Sequence, residues 1–249
     1  MPSAPEIRIL DDPAELFRAA AVEFSELANE AVHACGRFCV ALSGGSTPKG
    51  LYTLLATGAF PVPWENVCVL WGDERHVPPD DPESNYRMAN EAMLSKVPVP
   101  AGNVFRILGE EKDAQVAAKK YEETLVNFFD LDTGELPRFD LILLGMGPDG
   151  HTASLFPNSS ALREKKRLVA ANWVEKFHAY RITLTSPVLN NAVTVVFLVS
   201  GQDKSAVLHD VLDGPPGRFP SQLVHPAEGR MIWLLDRAAA SKLSSADRS

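Results

Sequence analysis

Cysteine is scarce. Only Cys35, Cys39 and Cys68 occur in 249 residues, and an odd number at these spacings makes neither a disulfide framework nor a metal-ligand pattern. Cys35 and Cys39 flank the start of an expected strand and Cys68 lies inside another, so buried thiols in a reducing cytoplasm are expected. No metal and no cofactor is expected. Apolar runs long enough to span a bilayer are missing, and no secretory leader is read, so no membrane association is expected. Positive charge is in deficit: 24 Lys and Arg stand against 32 Asp and Glu, a net charge of −8. That balance argues against nucleic acid or an anionic membrane as partner. An anionic ligand would have to be held by a local cluster of cations. Internal repeats and low-complexity linkers are also lacking.

What is present is an ordinary globular composition, 45% hydrophobic and 22% charged, on a chain long enough for a full core. Strands are expected over 7–10, 38–42, 67–71, 104–107, 141–144, 168–171, 182–184, 193–199 and 231–235. Helices are expected over 13–33, 47–56, 84–94, 113–129 and 204–212, with a closing helix from Ala238. Asp11 and Asp12 are cap candidates for the first helix, and Pro48 suits the first turn of the second. The alternation predicts an α/β fold with three αβα layers, a mostly parallel open sheet carrying helices on both faces. Residues 1–249 are expected to form one domain, a monomer or small homo-oligomer, with frayed first and last residues and a surface loop over 213–220. Ligands of such sheets sit beyond the carboxyl ends of the strands. Three expected strand ends are chemically loaded: 43–49, 72–76 and 145–151.

The richest stretch is 139–157, Phe-Asp-Leu-Ile-Leu-Leu-Gly-Met-Gly-Pro-Asp-Gly-His-Thr-Ala-Ser-Leu-Phe-Pro. A buried strand stops at glycines, and Asp149 and His151 follow on a turn containing Gly147. Histidine moves protons near neutral pH, and a carboxylate two residues away can orient it. These are the candidate catalytic residues. Gly145-Met-Gly147-Pro-Asp-Gly150 also fits the dinucleotide fingerprint, which wants an acidic residue about 20 positions further on. Here Val169, Ala170, Ala171 and Asn172 stand in that region, with no carboxylate until Glu175. Dinucleotide binding is disfavoured.

Ser43, Gly44, Gly45, Ser46 and Thr47 join an expected strand to a helix and offer backbone N–H groups, hydroxyls and a helix N-terminus to a phosphate. Pro48 before Lys49 rules out a Walker loop. The alternative is a plain turn capped by Thr47. A serine-hydrolase elbow at Ser43 is disfavoured, because too few strands precede it in this chain. Asp73 and Glu74 could hold Arg75 for a bidentate phosphate contact, against the alternative of a self-paired surface turn. Ser84 reads as a cap, and Asn85 could reach the same cleft. Arg181 opens a strand and Lys204 opens a helix, either a ligand cation or a solvated charge. His33, His76, His178, His209 and His225 lack a comparable setting.

With these residues in hand, the chain resembles the 6-phosphogluconolactonases, within the glucosamine-6-phosphate isomerase/deaminase superfamily. The likeness runs nearly end to end, through the 43–48 loop, Gly72-Asp-Glu-Arg75, Ser84-Asn85, Gly145 to Pro157, Arg181-Ile-Thr-Leu-Thr and Trp233-Leu-Leu-Asp236. It implies a Rossmann-like fold and hydrolysis of 6-phospho-D-glucono-1,5-lactone to 6-phosphogluconate, the second step of the oxidative pentose phosphate pathway. Deaminases of the superfamily carry a ring-opening Glu where this chain has Phe156, and a Tyr where it has Arg75; both departures point to the lactonase branch. His151, oriented by Asp149, would activate water, while Arg75 and Arg181 gripped the phosphate. A phosphorylated sugar lactone is thus the expected partner. A sugar-phosphate isomerase is disfavoured by Phe156, and a non-catalytic sensor by the intact Asp149–His151 pair.

Overall fold

In the computed structural model, which describes residues 4–244, the apolar runs form two sheets rather than one. The described strands are β1 (Glu6–Leu10), β2 (Phe38–Leu42), β3 (Val67–Trp71), β4 (Asp73–Arg75), β5 (Leu141–Leu144), β6 (Val169–Val174), β7 (Ala179–Leu184), β8 (Thr194–Val199) and β9 (Arg230–Asp236). The large sheet has the order β1-β9-β8-β5-β2-β3, and every pair is parallel. β2, β3, β5 and β8 are buried along their whole length, the signature of parallel strands covered on both faces. From β2 the chain steps outward to β3, then returns to β5 and continues through β8 to β9. The strand order therefore reverses between β2 and β5, and that reversal opens a crevice at their carboxyl ends.

Helices α1 (Pro13–Cys35), α2 (Ser46–Leu55), α3 (Asn85–Ala89), α4 (Ala114–Phe129), α5 (Ser186–Leu189) and α6 (Ser205–Leu212) complete the layers. Asp12 caps α1 by accepting the Glu15 N–H at 2.9 Å, and Gly36 ends it at φ 79°. Asp113 caps α4 in the same way through Gln115. α1 packs on α2 and the large sheet, while α4 lies on β6 and β7. The core between them buries Phe24, Phe38, Phe139, Trp71 and the stacked pair Phe197 and Trp233, whose rings are 3.8 Å apart. Each such side chain taken from water contributes about 1.5–3 kcal/mol.

Several expectations are corrected. The runs at 168–171 and 182–184 are not members of the parallel sheet; they are the cores of β6 and β7, an antiparallel hairpin paired with β4 in a second sheet. A four-residue connection, 175–178, is far too short for a parallel crossover, which needs about a dozen residues. Residues 104–107 form no strand; Val104 makes a single bridge to Val69. The helix expected over 84–94 loosens after Ala89 into one π turn, Asn90–Leu94. The closing helix is a single 3₁₀ turn, Ala239–Lys242, its Ala239 N–H held by Asp236 at 2.7 Å. Cys35 is exposed at the end of α1, unlike Cys39 and Cys68. The frayed ends fall largely on 1–3 and 245–249, outside the described residues.

Candidate active site

A cavity of about 210 Å³ opens at the crevice between β2 and β5. Ser43, Gly44, Gly45, Ser46, Thr47, Asp73, Arg75, Asn85, Gly147, His151 and Lys204 line it, together with Met146, Leu198 and Ser200. Of the expected catalytic and phosphate-binding residues, Asp149 and Arg181 do not line it. Asp149 stands behind His151, and Arg181 beside Arg75.

The turn after β5 is built for the imidazole. The Gly147 N–H donates to the His151 carbonyl at 2.9 Å and the Gly150 N–H to the Gly147 carbonyl at 3.0 Å. A Cβ on Gly147 would lie 2.0 Å from the imidazole, so only glycine lets the ring pack there without displacing it. The ring's Nδ1 is hydrogen-bonded to Asp149 Oδ1, which leaves the Nε2 lone pair as the free acceptor. Phe156, 7% exposed, stacks on the imidazole with centroids 4.0 Å apart and planes at 24°. Burial pushes the Asp149 carboxyl up, but the hydrogen bonds from His151 and the nearby Lys176 charge outweigh it and hold the group below the usual carboxylate range. It stays ionised beside the histidine.

Across the cavity, Gly45 stands at the N-cap of α2 and no side chain caps the helix, so the cap role open to Thr47 is not taken. Uncapped first-turn N–H groups favour an anion. The backbone of Ser43 is fixed from α2: Tyr52 Oη accepts the Ser43 N–H at 3.0 Å and donates to its carbonyl at 2.9 Å. The Ser43 hydroxyl is buried and has no hydrogen-bond partner among the described residues. Gly44 admits the Asn85 amide, whose oxygen would lie 1.9 Å from a Cβ there; that amide donates to the Asp73 carbonyl at 3.0 Å.

Arg75 is held otherwise than expected. Its guanidinium donates to the Glu83 carbonyl at 2.7 Å and lies 3.5 Å from the Glu83 carboxylate. Asp73 and Glu74 are engaged elsewhere. Asp73 accepts the Ser154 hydroxyl at 2.6 Å. Glu74 is buried and gathers the Arg75, Asn85 and Tyr86 N–H groups and the Ser84 hydroxyl; burial still pushes its carboxyl up. Arg181 is no strand opener but the register partner of Arg75 within β7. Its guanidinium lies over Phe177 at 5.2 Å, and burial, then the Arg75 charge, lowers its pKa. Lys204 pairs with the exposed Asp203 at 2.8 Å. The turn bearing Lys204 is anchored by Asp236, which accepts the Ser200 hydroxyl at 2.5 Å and the Gly201 N–H. Away from the cavity, His76 Nε2 sits 2.6 Å from the Glu111 carbonyl and His209 pairs with Asp213.

Sequence reasoning missed the residues that dock the small sheet on the segment that follows β5 and bears His151. Asn172 donates to the Ser154 carbonyl at 2.8 Å, Thr183 accepts the Ser154 N–H at 3.3 Å, and Lys176 lies 3.5 Å from Asp149. A polar Asn172 and Thr183 inside otherwise apolar runs were the signal available, since buried polar side chains need partners.

The glucosamine-6-phosphate isomerases/6-phosphogluconolactonase family profile matches residues 11–233. A 6-phosphogluconolactonase of Synechocystis is 41% identical over 242 residues, covering 96% of this chain and 99% of that one. One of Nostoc is 44% identical over 211 residues, 84% and 86% of the two chains. The solved 6-phosphogluconolactonase of Trypanosoma cruzi superposes with a TM-score of 0.86 at 30% identity, covering 98% of both chains.

Proposed function

Because the chain belongs to the glucosamine-6-phosphate isomerase/6-phosphogluconolactonase family, we propose that it hydrolyses 6-phospho-D-glucono-1,5-lactone to 6-phosphogluconate with His151 as general base. The observation that carries the assignment is the imidazole at the cavity wall, tied through Nδ1 to an ionised Asp149 and stacked on Phe156. An apolar ring in that place offers no second acid–base group, which suits a one-step ester hydrolysis better than the ring opening and isomerisation of an amino sugar.

A δ-lactone is an activated ester, so water needs only to lose a proton as it attacks C1. Nε2 of His151 takes that proton, Asp149 steadies the imidazolium, and the proton then passes to the ring oxygen as the C1–O bond breaks. The phosphate is remote from C1. Uncapped N–H groups of α2, the Ser46 and Thr47 hydroxyls, Arg75 and Lys204 belong to residues that line the cavity and can hold it. Binding energy so gained positions the ester carbon against the base. The odd cysteine count favours a reducing, cytoplasmic setting.

Acid release from freshly prepared phosphorylated lactone, followed against the spontaneous rate, tests the assignment. Acceleration that vanishes with His151→Ala is expected. A rate equal to the spontaneous one sinks the lactonase reading.

A further inference from the structure

We propose that the turn between β6 and β7, residues 175–178, is a positioning clamp for the Asp149–His151 pair, with Lys176 acting on the carboxylate and Phe177, through Phe156, on the imidazole. The inference rests on the reading of His151 as the base. Neither Lys176 nor Phe177 lines the cavity.

Asp149 spends one oxygen on His151. The other faces Lys176 Nζ at 3.5 Å. A carboxylate held by one oxygen can turn about its own Cβ–Cγ bond; a cation at the second oxygen fixes its plane, and with it the plane of the imidazole it orients. Phe156 likewise has two ring neighbours. His151 stacks on it, and Phe177 meets it edge-on at 5.8 Å and 77°. Lys176 and Phe177 are adjacent in sequence, so one turn supports both members of the pair.

The turn is itself well fixed. The His178 N–H donates to the Glu175 carbonyl at 3.1 Å, and His178 takes the left-handed conformation at φ 46° that closes the hairpin. Trp173 and Tyr180 face each other across it with rings 5.1 Å apart, and Trp173 Nε1 donates to Glu175 at 2.8 Å. Asn172, fully buried, ties the same hairpin to the catalytic turn through the Ser154 carbonyl at 2.8 Å. Phe177 nonetheless remains 45% exposed. A large apolar ring left in solvent at the edge of a catalytic turn is readily explained by what its buried edge supports.

The test compares Lys176→Ala, Lys176→Arg and Phe177→Ala with the parent, and places Lys176→Ala also in an Asp149→Asn background, using the phosphorylated lactone and His151→Ala as reference. Misplacing a reacting group by an ångström can cost up to about a hundredfold. For a partial loss of orientation, Lys176→Ala and Phe177→Ala should each lower kcat by about tenfold with KM within about twofold. Lys176→Arg should recover most of the loss, since it restores a cation to the same oxygen. In the Asp149→Asn background Lys176→Ala should add nothing, because a residue acting through Asp149 has nothing left to act on. Parental kcat in both alanine variants, with His151→Ala inactive, overturns the clamp and leaves the base standing. A rise in KM at constant kcat also overturns it, by making Lys176 a substrate ligand. An undiminished loss in the Asp149→Asn background does the same. Full turnover by His151→Ala brings down the base and the clamp together.

Discussion

His151 is constrained on every side that is not cavity: Asp149 at Nδ1, Phe156 on one face and Gly147 close against the ring. A group so placed is worth about 10²–10⁴-fold to a proton-transfer step. His151→Ala should therefore lose at least that much kcat while KM moves little, and initial rates of acid release would show it; a loss under about tenfold removes His151 from the base role. Asp149→Asn should cost less, since it orients rather than transfers. Asp149 also carries a pH signature. Its folded carboxyl ionises below the unfolded value, so the stability it contributes is present above the ordinary carboxylate range and is lost as pH falls through the lowered value. Melting temperatures taken between about pH 6 and 3 should fall less steeply in Asp149→Asn than in the parent. Equal slopes would mean that the His151 contact does not stabilise the folded ionised form. These two residues were legible because they stand two apart on one turn. Lys176 was not, because its contact with Asp149 depends on a hairpin whose pairing the apolar pattern left undecided.

At the scale of elements, two of the strands that lead into the site end alike. Tyr52 from α2 closes β2 at Ser43, and Tyr121 from α4 closes β3 at Trp71; each hydroxyl accepts the N–H and donates to the carbonyl of a single residue. At Ser43 the hydroxyl serves the backbone just past the last ladder residue of β2, and at Trp71 it serves the outer side of the edge strand β3, so the obligatory backbone pairing is kept. Burial pushes both phenols up, which keeps each hydroxyl a donor at any working pH. Tyr52→Phe would leave the Ser43 N–H and carbonyl unpaired, at a cost of about 1–3 kcal/mol. The urea midpoint should drop with its slope unchanged, and KM for the phosphorylated lactone should rise as the 43–47 loop loosens. An unmoved midpoint would show that the hydroxyl is dispensable. The parallel strands and α1, α2 and α4 were legible from apolar runs and caps. β4 was not: Asp-Glu-Arg carries no apolar signal, and it is a strand only because β7 comes to pair with it. The break after Ala89 was equally hidden, since the sequence there keeps a helical apolar pattern.

For the whole molecule, function depends on how the two sheets meet and on where the few cations lie. The meeting point is Ser154, whose hydroxyl, N–H and carbonyl go to Asp73 on β4, Thr183 on β7 and Asn172 on β6. All three partners are buried. The small sheet is thereby bonded to the segment that bears His151, and β4 carries Arg75 to the cavity by the same attachment. No run of residues announces this junction, which exists only once both sheets have formed. With a net charge of −8, the molecule as a whole does not attract a phosphorylated substrate. Beyond a Debye length of about 8 Å in physiological salt that charge is largely screened, so the proposed phosphate grip rests on the cations lining the cavity. Arg75 and Lys204 are there, each paired with an exposed carboxylate, Glu83 and Asp203. Such exposed pairs contribute little, typically about 0–1 kcal/mol, and yield readily to a phosphate. A charge-assisted bond to that phosphate is worth about 1.5–3 kcal/mol, so Arg75→Ala should raise KM for the phosphorylated lactone by at least about tenfold. Hydrolysis of unphosphorylated gluconolactone should be barely changed. Arg75→Lys should recover only part of the loss, because an ammonium keeps the charge but not the fork. Arg181→Ala should raise KM less than Arg75→Ala, since Arg181 stands outside the cavity wall and repels Arg75. Steady-state KM values for both lactones check the set, and a parental KM in Arg75→Ala would move the phosphate grip to the α2 N-terminus and Lys204.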